Sequence, residues 1–444
     1  MEAGEKAQSQ PALKRWHIAA ATLGNALAFY DFLTYSFFAI QIGHTFFPSR
    51  SGYVSLMLSL AAFFVGFLAR PVGALVIGVY ADRVGRRPAM LLSFLLMGAS
   101  IAAMALIPSY SAIGIAAPAL AILARLMQGF SLGGEIGSNS AFLLEAAAPE
   151  NRGFNVAWQG ASQNAALLVA SLVGIALTSF MPPALLDAWG WRIAFLLGAV
   201  TLPFGLWLRS HLPETLHTQE ISSPVLAHDA VPSTRLALAA RHWRIMILGL
   251  VALGMATIAN YIIVYAVTYA QDSLHLSARA GFIAETANNL IGIPAGLLGA
   301  WLSDRHGRWP VNVGTNLALL ATAWPLFAWM VGAHSDTALI VSMTILGITA
   351  NFSFGSLLAT LGESVPKSIR VTGLATVYSL AIGVLGGSTQ FVVNGLIHLT
   401  GNPMAPAWYM TGSALIGQIA LMLIPESAPV RQRPVSAFAA APAE

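Results

Sequence analysis

No cysteine occurs among the 444 residues, and only 9% of them are charged. The first absence excludes disulfide frameworks, thiolate metal sites and cysteine nucleophiles, and the ten histidines form no close pair at zinc-ligand spacing on an apolar helix. The second absence excludes an ordinary water-soluble fold, because soluble domains are roughly 25% charged. With 22 Lys and Arg and 18 Asp and Glu, the chain cannot cover the surface that several soluble domains of this total length would expose. A G-x-x-x-x-G-K-[ST] phosphate loop is also missing, which argues against an ATP-driven pump. What is present is apolar: 57% of residues are hydrophobic, and the mean hydropathy is +0.70. Lipid is the main solvent of such a chain.

A spanning helix needs about 20 apolar residues. Runs of that kind cover residues 16–42, 54–80, 88–107, 113–144, 154–180 and 193–208, then 245–270, 281–302, 311–331, 338–361, 372–399 and 407–424. Lipid offers no hydrogen bonds to backbone, so runs of this length predict helices; barrel strands would be about ten residues long and alternating. The expected class is an all-α membrane protein with twelve transmembrane helices. With both termini in the cytoplasm, most basic residues fall inside, Arg50, Arg192 and Arg279 fall outside, and Arg70 and Arg125 lie within spans. The net charge of +4 and isoelectric point near 9.5 are thereby explained as membrane topology, and no basic patch for nucleic acid is expected. Lys14 and Arg15 ahead of Ala26-Leu27-Ala28 resemble a signal peptide, but apolar sequence continues to Ile42, which disfavours cleavage.

The long polar stretch from Arg209 to Trp243 separates six runs from six. The expected organisation is an N-terminal bundle at 1–208, a cytoplasmic linker at 209–244, and a C-terminal bundle and tail at 245–444. The chain repeats itself across that linker. Asp82-Arg83-x-Gly85-Arg86 returns as Asp304-Arg305-x-Gly307-Arg308, and Glu145 with Arg152 returns, at the same spacing, as Glu363 with Arg370. Two independent motifs at nearly one offset are the sign of paired halves with a binding site between them.

Gly78, by lacking a side chain, is expected to let span 2 lie close to a helix of the other half. Glu145 and Glu363 end spans 4 and 10, where the helix dipole disfavours an anion, so each should seek a cation. Gly78, Asp82, Arg86, Arg87, Glu145, Arg152, Asp304, Arg308, Glu363 and Arg370 are accordingly expected to gate the cytoplasmic side, over the plainer reading of topology anchors. Within the spans, Asp31, Arg70, Arg125 and Glu135 each cost ~2.5 to 3.5 kcal/mol on insertion scales and should pair or line a wet cavity. With both acids ionised the four groups sum to zero, and with both protonated to +2, so proton loading and anion loading are coupled.

Polar stripes supply further contacts: Asn155, Gln159, Ser162 and Gln163 on span 5, Asn260, Tyr261, Tyr265 and Thr268 on span 7, Glu285, Asn288 and Asn289 on span 8, and Tyr378, Gln390 and Asn394 on span 11. Of these, Gln159, Ser162, Gln163, Asn260, Tyr261, Asn289 and Tyr378 are expected to bind substrate together with Arg70 and Arg125. Interhelical bonding worth ~0.6 kcal/mol per pair competes with that reading at each position. Glycines at every fourth position, Gly129, Gly133 and Gly137, then Gly292 and Gly296, predict packing ridges. The literal G-x-S-x-G at 129–133 lies inside a span with no preceding strand, which rejects Ser131 as a hydrolase nucleophile.

Gly78-x-x-x-Asp82-x-x-Gly85-Arg86-Arg87 and Arg125-x-x-Gln128-Gly129 resemble the major facilitator superfamily. Within it, GNALAFYDF (24–32), RPVGALVIG (70–78) and QGFSLGGE (128–135) look like the metabolite:proton symporter family. WQGASQNAA (158–166), NLIGIPAG (289–296) and LTGNP (399–403) are most similar to its citrate and tricarballylate symporters. The resemblance implies two pseudo-symmetric six-helix bundles working by alternating access, with Asp31 and Arg125 as a proton-linked pair; Glu135, charged within its span, is the other acid expected to take part in proton coupling. Ala300, where the second loop motif would carry Gly, departs from the pattern and puts close helix approach there in doubt.

The expected function is proton-coupled symport of a small organic acid, citrate or a related tri- or dicarboxylate. A proton-coupled osmolyte or zwitterion carrier for betaine-like or proline-like solutes is the alternative. The partners expected are the anion, protons and the bilayer of a bacterial inner membrane, with monomeric function, no nucleic acid, no cofactor, no metal and no enzymatic chemistry.

Overall fold

The computed structural model of the chain describes residues 15–84, 86–145, 147, 149–200, 203, 242–365 and 370–432. Within its helices the side chains of Asp31, Asp82, Arg86, Arg87, Glu135, Glu145 and Arg370 lie outside what is described, as do Gly85 and nearly all of the expected linker. Among the described residues no strand occurs.

We number the helices by the expected spans. In the first half these are α1 (Arg15–Phe37), α2 (Gly52–Leu68 and Arg70–Val84), α3 (Arg86–Leu106), α4 (Ala116–Glu145), α5 (Arg152–Phe180) and α6 (Trp191–Val200). In the second they are α7 (Trp243–Val264), α8 (Ala278–His306), α9 (Arg308–Ala333), α10 (Asp336–Ser364), α11 (Arg370–Leu380 and Gly387–Thr400) and α12 (Ala405–Leu423). Among the described residues eight helices are long and apolar enough to cross a membrane, or nine if the bent pair Asn25–Phe37 and Ala39–Phe46 is one span. The remaining three expected spans coincide with α3, α8 and α12. The outward surface is apolar as a lipid-facing surface requires: Leu75, Ile115, Phe180, Val200 and Leu399 are all more than two-thirds exposed.

Two devices let these helices pack closely. Glycines form ridges: a Cβ on Gly129 would collide with the Gly66 carbonyl, one on Gly133 with that of Arg70, and one on Gly73 with that of Phe130, so α2 and α4 touch backbone to backbone. Gly299 does the same for α8 against Phe352 of α10. The second device is local breakage. α1 bends by 69° into Ala39–Phe46, α7 breaks at Tyr265 before Ala266–Asp272, and α11 carries a π-helical stretch, Ala381–Gly386. That stretch seats Gly386 against Thr257 and Tyr261, and Gly387 against the Phe67 ring, so α11 meets α7 within its own half and α2 across the seam.

The two halves meet along α5 with α8 and α10, and along α2 and α4 with α11. Ala300 does not keep the helices apart. It is fully buried, and Gly153 and Gly355 supply the close approach around it, against the Ala300 carbonyl and Ala157 respectively. At Gly78, expected to let α2 lie close to the other half, a Cβ would meet nothing within 4 Å among the described residues. Gly307, between α8 and α9, does have a backbone requirement, since its φ of 107° is one that L side chains rarely adopt.

Candidate functional site

The close contact of α2 and α4 sets Arg70 and Arg125 side by side against α1. Their guanidinium carbons lie 4.4 Å and 4.2 Å from the centroid of one ring, that of Phe32. Phe67 adds a second face for Arg70 at 4.3 Å, and Tyr35 a second for Arg125 at 4.5 Å. Gly66 leaves room for the Arg125 side chain. Arg70 is 1% and Arg125 0% exposed. Arg125 donates to Gln128 Oε1 at 2.7 Å and to the Phe32 carbonyl at 3.3 Å, while its Nε and Nη2, and all three nitrogens of Arg70, have no hydrogen-bond partner among the described residues. Stacking on aromatic faces stabilises a desolvated guanidinium by about 2 kcal/mol per ring, whereas each unmade buried donor costs about 1 to 3 kcal/mol. The donors outnumber the rings, so the pair is poised to receive an anion.

Facing them from the other half are the phenols of Tyr261 and Tyr378, both within electrostatic reach of Arg70. Tyr378 Oη accepts from Gln163 Nε2 at 3.4 Å and from Gln159 Nε2 at 3.5 Å, so α5 and α11 meet here across the seam. A cavity of about 40 Å3 lies beside them, walled by Phe29, Gln163, Asn164, Asn260, Tyr261 and Asn351, among others. By volume it holds about three waters, too few to match a tricarboxylate, so loading requires the halves to part.

Arg70, Arg125, Gln159, Gln163, Tyr261 and Tyr378 are thus brought together, and Asn260 joins them on the cavity wall. Ser162 is turned to α1, where it accepts from Asn25 Nδ2 at 2.8 Å. Asn289 is also elsewhere: it donates to Glu285 Oε2 at 3.0 Å inside the second half. Tyr265 bonds Asn394, and Thr268 donates to the Ser36 carbonyl. The stripe on α5 therefore splits, one edge packing on α1 and the other facing the cavity. Asn164 and Asn351 were not singled out from sequence, although Asn164 donates to Asn351 Oδ1 at 2.8 Å across the seam. The signal was a lone amide in an apolar span for Asn351, and a fourth amide beside Gln163 for Asn164. Asp31 and Glu135 lie outside the described side chains, and so does any pairing of either with an arginine.

At the end of the molecule bearing the loop motifs, Asp304 of the second half accepts from the backbone amides of Gly153 and Phe154, at 2.9 Å and 2.8 Å. It caps the first turn of α5, where free N–H groups and the helix dipole favour an anion. Arg308 pairs with Asp304 at 2.6 Å and with both oxygens of Glu363, at 3.1 Å and 3.2 Å. Ser427 donates to Glu363, and Glu426 accepts from the amides of Arg308 and Trp309. Arg152 Nε is without a partner among the described residues. Asp82, Arg86, Arg87, Glu145 and Arg370 lie outside the described side chains. At the far end the halves meet through Gln390 donating to Ser36 at 2.6 Å, Thr286 donating to Ser171 at 2.9 Å, Tyr53 stacked on His398 at 3.6 Å, and Phe282, which fills a notch at Gly174 beside Phe37 and Phe38.

Comparison with known proteins agrees with this architecture. Residues 21–389 match the model of the Major Facilitator Superfamily. A citrate-proton symporter of Salmonella typhi is 39% identical over 94% of this chain and 96% of its own length, and one of Klebsiella pneumoniae is 39% identical over 91% and 90%. A proline/betaine transporter of Salmonella typhimurium is 31% identical over 93% of this chain and 83% of its own. Among solved structures, a partially occluded inward-open form of the xylose transporter XylE from E. coli superposes with a TM-score of 0.75 over 92% of this chain and 97% of that one, at 17% identity, which speaks to the fold alone. With two six-helix halves, repeated loop motifs, a seam at mid-depth and a family match over most of its length, the chain belongs to the major facilitator superfamily.

Proposed function

We propose that the protein is a secondary active transporter of the bacterial inner membrane that co-transports protons with a small organic acid, citrate or a related tri- or dicarboxylate, by alternating access. The observation that carries this reading is the pair of buried guanidinium groups on the Phe32 ring, whose unpartnered donors face two phenols and two glutamines of the seam. An anion with two or more carboxylates satisfies both cations at once, and the 39% identity to citrate-proton symporters supports that class. A betaine or proline-like substrate, suggested by the 31% relatives, brings one carboxylate and an ammonium that two buried arginines repel.

Asp31 and Glu135 share the first half with the arginines, on α1 and α4. Protonation of both from outside leaves the arginines uncompensated at +2, the anion binds, and release inside is followed by loss of the protons. The positive-inside distribution places the motif end and both termini in the cytoplasm, where Asp304, Arg308 and Glu363 join the closure, with Asp82, Arg86, Arg87, Glu145, Arg152 and Arg370 as their counterparts. The lipid bilayer is the solvent of the outer surface, and a monomer carries the whole site. Neither a cofactor nor enzymatic chemistry is required. Counterflow in proteoliposomes with labelled citrate, other carboxylates and betaine at two pH values tests the reading: carboxylate exchange that betaine does not compete is expected, and exchange of betaine alone overturns it.

A further inference from the structure

Unpartnered buried atoms gather in two clusters of opposite kind. Around Arg70 and Arg125 they are donors. On α8 they are acceptors: Glu285 Oε1, Asn288 Oδ1 and Asn289 Oδ1 all lack a partner among the described residues, on side chains that are 0%, 4% and 0% exposed. The spacing of three and four places all three residues on one helical face. The amide nitrogen of Asn289 is already engaged. Asn289 Nδ2 donates to Glu285 Oε2 at 3.0 Å and to the Glu285 carbonyl at 2.7 Å. What remains is one formal negative charge and a set of oxygens with no donor, and a buried carboxylate in that condition calls for a cation.

We propose that Glu285, Asn288 and Asn289 form a monovalent-cation site in the second half of the carrier, distinct from the acids of the first half, taking a proton or a sodium ion. A proton on Glu285 Oε1 converts one orphan acceptor into a donor. A sodium ion takes oxygen ligands of this kind directly. The site is linked to the substrate cavity. Asn288 Oδ1 lies against Gly347 of α10, so closely that a Cβ there would overlap it. One turn on, Asn351 donates to the Gly347 carbonyl at 2.9 Å and accepts from Asn164 on the cavity wall. Thr286, beside Glu285 in sequence, bonds Ser171 across the seam, so parting of α5 from α8 disturbs the cluster.

Among the described residues no ion pair involves Glu285. Among the described residues, the ionisable side chains on the elements packed on α8 are Tyr265, Tyr269 and Asp272 at and after the break of α7, Glu150 and Arg152 at the start of α5, Arg308 of α9, and Asp336 and Glu363 of α10. On α8 itself they are Arg279 at the far end and Asp304, Arg305 and His306 at the motif end. Arg308 is committed to Asp304 and Glu363.

This inference rests on the transporter reading, and its test needs no organic acid, so the two can fail separately. The melting temperature of the purified full-length chain is measured in a sodium chloride series balanced with choline chloride, and in a pH series without sodium. The wild type is expected to lose stability as the ion is withdrawn, in the sodium series if the occupant is Na+ and in the pH series alone if it is H+. Glu285→Gln should abolish that dependence, while Gly347→Ala, which displaces Asn288 without altering charge, should move the midpoint about tenfold in ion concentration. A Glu285→Gln protein with the wild-type response to both series overturns the proposal. Should Glu285→Gln not fold, an unshifted midpoint in Gly347→Ala overturns it instead.

Discussion

Phe32 is the residue on which the substrate reading turns, because its ring carries two guanidinium groups that would otherwise repel each other in a dry interior. Arg125→Ala should weaken labelled-citrate binding by about 100-fold, close to 3 kcal/mol, the size expected for losing charge-assisted hydrogen bonds; unchanged affinity would move the anion site elsewhere. Tyr378→Phe separates two roles. Its bonds to Gln159 and Gln163 are long, at 3.5 Å and 3.4 Å, and therefore weak, so if they are all that Tyr378 makes, affinity should change less than about threefold. A loss of more than tenfold in the same binding assay would mean that the phenol touches the anion. Asp31→Asn should abolish pH-driven accumulation and leave counterflow measurable, since exchange needs no net proton movement. Arg70 and Arg125 were legible in the sequence because a charge in an apolar span is costly enough to require a role. Ser162 and Asn289 bond to a neighbouring helix and within their own helix, for a geometric reason: one step along a helix turns a side chain by about 100°, enough to move it from a cavity to a helix contact.

Among the elements, α5 is held from outside its own half. Its first turn is capped by Asp304, and that carboxylate is itself paired with Arg308. Asp304→Asn keeps an acceptor but loses the ion pair; Arg308 keeps Glu363, so the cost stays below the roughly 3 to 5 kcal/mol of a buried charge left alone. The seam at the motif end should therefore open more often. Because the chain has no native cysteine, Thr257→Cys on the cavity wall gives a single reporter, and its labelling by a membrane-impermeant maleimide from the cytoplasmic side should rise about tenfold or more in the Asp304→Asn background. Equal labelling would reduce Asp304 to a topology anchor. The repeated loop motif pointed to this device through spacing alone, but not to its partner, since a cap on a distant helix leaves no trace in local sequence. The same limit applies to Gly78, where a small residue suggested contact and no described atom lies within 4 Å of a Cβ placed there.

For the molecule as a whole, the apolar runs predicted the twelve long helices and not the short ones between them, such as Tyr110–Ile113 and Pro183–Leu185, because lipid dictates length and hydrophobicity span by span. The breaks at Phe38 and Tyr265 and the π-helical stretch of α11 were not legible, since they answer to packing between distant segments. These breaks, with Phe282 lodged at Gly174, make the far closure largely a matter of fitted aromatic surface, whereas the motif end is tied by ions and backbone amides. Apolar contact weakens on cooling; ionic and backbone bonds do not share that dependence. A cooled carrier should therefore idle facing the outside medium, and spin labels across α2 and α11 at the His398 level would register wider separations near freezing than at growth temperature. Chill, for this protein, acts as a one-sided latch release.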